Sequence, residues 1–95
     1  MSAPRIALIH AMPMAIEPVT QVFHELWPSA RITHLLDDSL PADLTAAGGI
    51  TPGIIERFVA LARYCEGCGA DAILFTCSAF GSAIEAAKQA PPIPS

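Results

Sequence analysis

Long apolar runs, clustered basic residues and paired cysteines are all scarce in this chain. No window among its 95 residues approaches the ~18 uninterrupted apolar residues of a membrane span. The apolar stretch nearest the start, RIALIHAMPMAIEPV, carries Arg5, His10, two prolines and Glu17 where a secretory leader needs a clean apolar core. No membrane partner is expected, and the chain reads as cytoplasmic. Its basic residues, Arg5, Arg31, Arg57, Arg63 and Lys88, are scattered among nine carboxylates, for a net charge of −4. Without a basic stripe there is no footprint for a phosphate backbone, and nucleic acid is not an expected partner. Cysteines stand at 65, 68 and 77, an odd number without a secretory signal, so no disulfide framework is expected. The chain also lacks G-x-G-x-x-G and G-x-x-x-x-G-K-[ST], which leaves nucleotide binding without support.

Hydrophobic residues make up 53% of the chain and charged residues only 15%, with a mean hydropathy of +0.48. That balance excludes a disordered chain and gives one domain with a small core. It is also apolar enough for a small domain that part of the surface is expected to meet a partner.

The short run RIALIHA, stopped by MPM, reads as a buried strand ending near His10. From Met14, the residues Ile16, Val19, Val22, Phe23, Leu26 and Trp27 recur at helical spacing until Pro28. ARITHLL reads as a second strand, and DDSLPADL as a long polar loop, because Asp37, Asp38 and Pro41 favour turns. Thr51 can cap a second helix with Pro52 at its first position. Its stripe is Ile54, Ile55, Phe58, Leu61, Ala62 and Cys65, and Gly67 and Gly69 end it. DAILFTC is a third strand, SAFGSAIEAAKQA a third helix, and Ile93 in PPIPS the start of a fourth strand. The expected fold is α/β, a three-layer β-α-β-α-β-α arrangement with a parallel sheet of three to four strands flanked by helices. Stopping at APPIPS, where another strand is due, the chain is expected to be a piece of a longer α/β protein.

In open parallel sheets, ligands bind beyond the carboxyl ends of the strands. Three segments converge there: HAMPM, DDSLPADL and TCSAFG. Cys77 stands on this rim at a helix start, where unpaired backbone N–H groups and the helix dipole favour a thiolate. It reads as a base or nucleophile, against the alternative of a small apolar filler. Thr76 and Ser78 flank it with hydroxyls suited to a carboxylate, or to strand-end and capping roles. Met12 and Pro13 after the first strand and Ser39 after the second complete the candidate substrate contacts. Cys65 and Cys68 have C-x-x-C spacing but close a helix, where the dipole disfavours thiolates. Cys65 is therefore assigned to the core, Cys68 to a helix end, and no metal is expected. His10 reads as a structural residue, with ligand contact as the alternative; His24 and His34 have no visible partner.

RIALIHAMPMAIEPV, LLDDSL, GGITPGIIERFVALA and above all GADAILFTCSAFGSAIEAA together resemble the N-terminal half of the aspartate/glutamate/hydantoin racemase superfamily, which includes arylmalonate decarboxylase and maleate isomerase. The resemblance implies one subdomain of a pseudo-twofold pair, a small carboxylate substrate, and neither metal nor pyridoxal phosphate. It implies that Cys77 is the first of two cysteine acid/bases, with Thr76 and Ser78 around the substrate carboxylate. Where glutamate racemases carry an acidic D-S-G, this chain has HAMPM, which points to a less typical substrate. The second cysteine would come from a missing C-terminal subdomain or from a homo-oligomer partner, and the 95 residues are expected to be inactive alone. A single-cysteine enzyme of the decarboxylase or maleate-isomerase type is the alternative enzymatic reading. A non-catalytic binding or assembly module is the alternative from another class.

Overall fold

The run RIALIH forms a central strand, β1 (Arg5–His10), in the computed structural model, which describes residues 3–76. β2 (Arg31–Leu36) and β3 (Ala72–Phe75) pair with it in parallel on either side, in the order β2-β1-β3. Position in that order explains burial. Every β1 residue after Arg5 is buried, because both its edges and both its faces are covered, while β2 and β3 are half-exposed. The register runs from Arg5 opposite Arg31 to His10 opposite Leu36, and from Ile6 opposite Ala72 to Ile9 opposite Phe75.

Since side chains alternate along a strand, β1 feeds two layers. Ala7, Ile9 and the following Ala11 face α2 (Leu40–Ala47) and α3 (Pro52–Gly67), packing with Leu40, Ile54, Phe58 and Cys65. Phe58 is fully buried and tilts against Phe75 of β3, ring centroids 5.4 Å apart. Burying a side chain of that kind contributes about 1.5–3 kcal/mol. Ile6, Leu8 and His10 face the other way, toward α1 (Ile16–Leu26), whose Thr20 reaches His34 of β2. The described part is thus an α/β fold, a three-stranded parallel sheet flanked by three helices.

The cap expected of Thr51 is present: its backbone is extended and its Oγ1 accepts the Ile54 N–H at 3.3 Å, with Pro52 in the first turn. α3 runs through Gly67 and is closed by Gly69 at φ +93. A short 3-10 turn, Pro13–Ala15, precedes α1, and Pro18 lies in α1's first turn, where no N–H is required.

DDSLPADL is only partly the loop its composition suggests. Leu40–Ala47 is helical, with Pro41 tolerated in the first turn. Leu40 is fully buried and Leu44 packs on the same cluster, so tertiary packing overrides weak local propensity. Gly48 ends this helix at φ +76, its N–H bonded to the Thr45 carbonyl. The apolar stripe of α1 is less covered than its pattern suggests: no residue of the helix is fully buried, and Val22 and Leu26 are exposed, as is the capping Trp27. The helix expected over SAFGSAIEAAKQA and the strand expected from Ile93 lie outside the described residues.

Candidate functional site

From β1 the chain crosses to β2 on one side, and it later returns to β3 on the other. The carboxyl ends of β1 and β3 therefore border the point where the connections diverge, the usual ligand crevice of such sheets. Thr76 follows β3 there, its N–H donating to the Ile9 carbonyl at 3.1 Å. Met12 and Pro13 follow β1 on the same edge and are exposed. Cys77 and Ser78, the next residues after Thr76, lie outside the described residues.

Ser39 is on this edge too, after β2, but its hydroxyl is engaged internally. It donates to Asp37 Oδ1 at 2.5 Å and accepts from Arg57 Nη2 at 2.7 Å. Arg57, reaching up from α3, also pairs with Asp37 at 2.7 Å and with Asp43 of α2. Burial pushes the Asp37 carboxyl upward, but hydrogen bonds from Ser39 and Arg57, with the Arg57 charge, outweigh it and leave its pKa below the ordinary value. Hydrogen bonds to Asp37 and Asp43 raise the Arg57 guanidinium correspondingly. Ser39 thus serves a turn-and-helix clasp rather than offering a free hydroxyl.

A second polar assembly runs through the α1 layer, and neither strand taken alone signals it. His10 is fully buried, its Nδ1 2.7 Å from Thr76 Oγ1 and its Nε2 2.9 Å from Nδ1 of His34. The two rings stack with centroids 5.1 Å apart. His34, exposed on β2, places Nε2 3.3 Å from Thr20 Oγ1, and Thr20 donates to the Ile16 carbonyl at 2.6 Å.

That last bond orients the chain. A carbonyl only accepts, so the Thr20 proton is committed to Ile16, and Thr20 Oγ1 must accept from His34 Nε2–H. In the neutral ring, His34 Nδ1 is then an acceptor and takes His10 Nε2–H. Thr76 Oγ1 lies 2.7 Å from His10 Nδ1 and 3.4 Å from the Ile9 carbonyl, and its single proton serves one of the two. Burial and the neighbouring His34 hold the His10 pKa below its ordinary value of 6.5, in keeping with a neutral ring.

The register makes this assembly. Leu8 is opposite His34 and His10 opposite Leu36, so the histidines are diagonal neighbours on one face. His10 was legible as a strand-end histidine, whereas His34, without a partner in the sequence, gains one only through strand pairing.

The other cysteines lie elsewhere. Cys65 is buried against Ala7 and Ile9 on the α3 layer. Burial and the neighbouring Cys68 raise its thiol pKa, despite an opposing effect of Arg5. Cys68 caps α3 at the edge where the strands begin, near the hydrogen bonds between Arg5 and Asp71. Among the described residues, no group of three His, Cys, Asp or Glu side chains is arranged to hold a metal ion, and no helix is long and apolar enough to cross a membrane. No family model, curated protein or solved structure matches the chain.

Proposed function

We propose that this chain is a subdomain of a cofactor-independent racemase- or isomerase-type enzyme, of the kind found in the aspartate/glutamate/hydantoin racemase superfamily, acting on a small carboxylate with Cys77 as one acid/base. The observation that carries the reading is the crevice between the carboxyl ends of β1 and β3. Thr76 ends there, and Cys77 is the next residue in the chain. A thiolate in such a place removes an α-proton from a bound carboxylate, and N–H groups and hydroxyls hold the enolate-like charge that develops. Thr76 and Ser78 are the proposed hydroxyls, with Met12 and Pro13 as the neighbouring wall.

Racemisation needs a second acid/base on the opposite substrate face. In this reading it comes from a second subdomain or a second copy of the chain. The single-cysteine reading, a decarboxylase- or isomerase-type reaction in which one thiol protonates or attacks the substrate, draws support from a specific observation: Cys65 is buried in the α3 layer and Cys68 stands at the strand-start edge, so neither can reach the crevice.

The test is exchange of the substrate α-proton in deuterated solvent, with aspartate, glutamate, a hydantoin and an arylmalonate offered in turn to the longest natural form of the protein. Exchange or decarboxylation that disappears in Cys77→Ala is the expected result. Persistence in the variant removes the role of Cys77. No reaction with any substrate, together with alkylation of Cys77 following the pH profile of a free thiol, favours the non-catalytic module.

A further inference from the structure

We propose that Cys65 and Cys68 form a site for thiol–disulfide exchange with a small disulfide of the glutathione type, Cys68 making the first attack and Cys65 closing an internal bond across the last turn of α3. Both residues line one cavity of about 190 Å3, beside Arg5, Thr33, Leu35 and Tyr64. Both thiols are free in this structure. The cavity borders the edge where the strands begin, so the inference does not depend on the enzymatic reading of the crevice.

The local backbone suits such a bond. Helical geometry sets Cα atoms three residues apart at about 5 Å, inside the span of about 4.4–6.8 Å that disulfides bridge. The last turn of α3 is also tightened. The Cys68 N–H is shared between the carbonyls of Tyr64 at 3.0 Å and Cys65 at 3.1 Å, and the Gly69 N–H donates to the Glu66 carbonyl at 2.9 Å. Hydrogen bonds of this three-residue span draw side chains i and i+3 into line, which puts Cys65 and Cys68 on one face. Gly67 stands between them with nothing within 4 Å of the space beside its Cα, so the turn has room to adjust as the sulfurs join.

Access sets the order of events, because Cys68 is exposed and Cys65 is buried. Cys68 loses its proton to solvent, and its sulfur attacks one sulfur of the small disulfide R–S–S–R. A Cys68–S–R bond forms, the original S–S bond breaks, and one R–S− leaves. Cys65 then loses its proton, attacks Cys68 Sγ and expels the second R–S−. The two departing thiolates take up the two protons, and the protein passes two electrons to the small disulfide. Burial and Cys68 hold the Cys65 thiol pKa up, while Arg5 works the other way. The Arg5 Nε is buried and makes no hydrogen bond, so a thiolate forming in the cavity meets a cation with a donor to spare. The carbonyl end of α3 still disfavours thiolates. A pair whose thiolate form is not stabilised is a weak oxidant, which favours the closed bond once it has formed.

The test is to equilibrate the folded whole chain with equal reduced and oxidised glutathione, quench with acid, and map the cysteines by mass spectrometry. A protease that cuts after Glu66 and Asp71 separates all three cysteines, so each pairing gives its own linked peptides. The expected product is one internal bond between Cys65 and Cys68, the chain lighter by two hydrogens, reversed by excess dithiol. Cys65→Ala should stop at a lasting glutathione adduct on Cys68. In Cys68→Ser, Cys65 should stay unmodified in the folded chain. A lasting adduct on Cys68 of the parent chain, a bond to Cys77 or between two chains in place of the internal one, or two thiols still free at equilibrium would each overturn the proposal.

Discussion

Replacing His10 by leucine and by alanine, and measuring urea unfolding at pH 8 and pH 5, separates what the buried ring contributes through space from what it contributes through protons. His10 is fully buried and makes two side-chain hydrogen bonds, at 2.7 and 2.9 Å. Each is worth about 0.5–1.5 kcal/mol net, so their joint loss costs about 1–3 kcal/mol. Neither partner is stranded, because Thr76 Oγ1 already lies 3.4 Å from the Ile9 carbonyl and His34 is open to water. Alanine also leaves a cavity where the ring was, which brings its expected cost at pH 8 to about 2–5 kcal/mol. Against a total of about 5–15 kcal/mol for a domain of this size, that is a large fraction. Leucine fills most of the space, and its expected cost is about 1–2 kcal/mol.

Acid changes the comparison with leucine. The folded pKa of His10 is lowered from 6.5 by burial and by His34, so on acidification the unfolded chain takes up this proton first. The neutral ring's contribution is therefore complete above pH 6.5 and declines as pH falls through that value toward the folded pKa. Leucine cannot titrate, so its deficit relative to the parent should shrink or reverse at pH 5. A deficit unchanged between the two pH values would refute the buried neutral histidine and the hydrogen-bond direction derived from it.

Arg57→Met should destabilise by about 1 kcal/mol at pH 7, modestly because Arg57 and its carboxylate partners are all partly solvent-exposed. Since the Asp37 pKa is lowered from 3.8, that contribution is present above this value and lost as pH falls through the folded pKa; thermal melts of both proteins should draw together as pH falls below 3.8. Two glycines should respond in opposite directions to alanine. Gly48→Ala, at φ +76, should cost about 1 kcal/mol or more, whereas Gly67→Ala, inside the last turn of α3 with nothing within 4 Å of the added carbon, should gain about 0.5–1 kcal/mol in urea unfolding.

What the sequence determined by itself was what local pattern carries. The apolar run of β1, the stripe from Ile54 to Cys65 and the Thr51-Pro52 start identify strand and helix because spacing and capping act within a few residues. They also sufficed for a parallel α/β order and for the edge on which Thr76, Met12, Pro13 and Ser39 stand. α2 escaped because its local signals, acids and a proline, are those of a turn; only the fully buried Leu40 shows why the segment coils. The commitment of Ser39 to Asp37 and Arg57 was equally hidden, since Arg57 lies 18 residues away on α3.

The histidine pair belongs to tertiary structure alone. His10 and His34 are 24 residues apart, and Thr76 is 66 from His10. They meet because β1 pairs with β2 and β3 in one register, and a slip of a single residue between β1 and β2 would turn His34 to the opposite face. Composition and periodicity place each of these residues on a strand or at its end. Only strand pairing decides that their protons are shared.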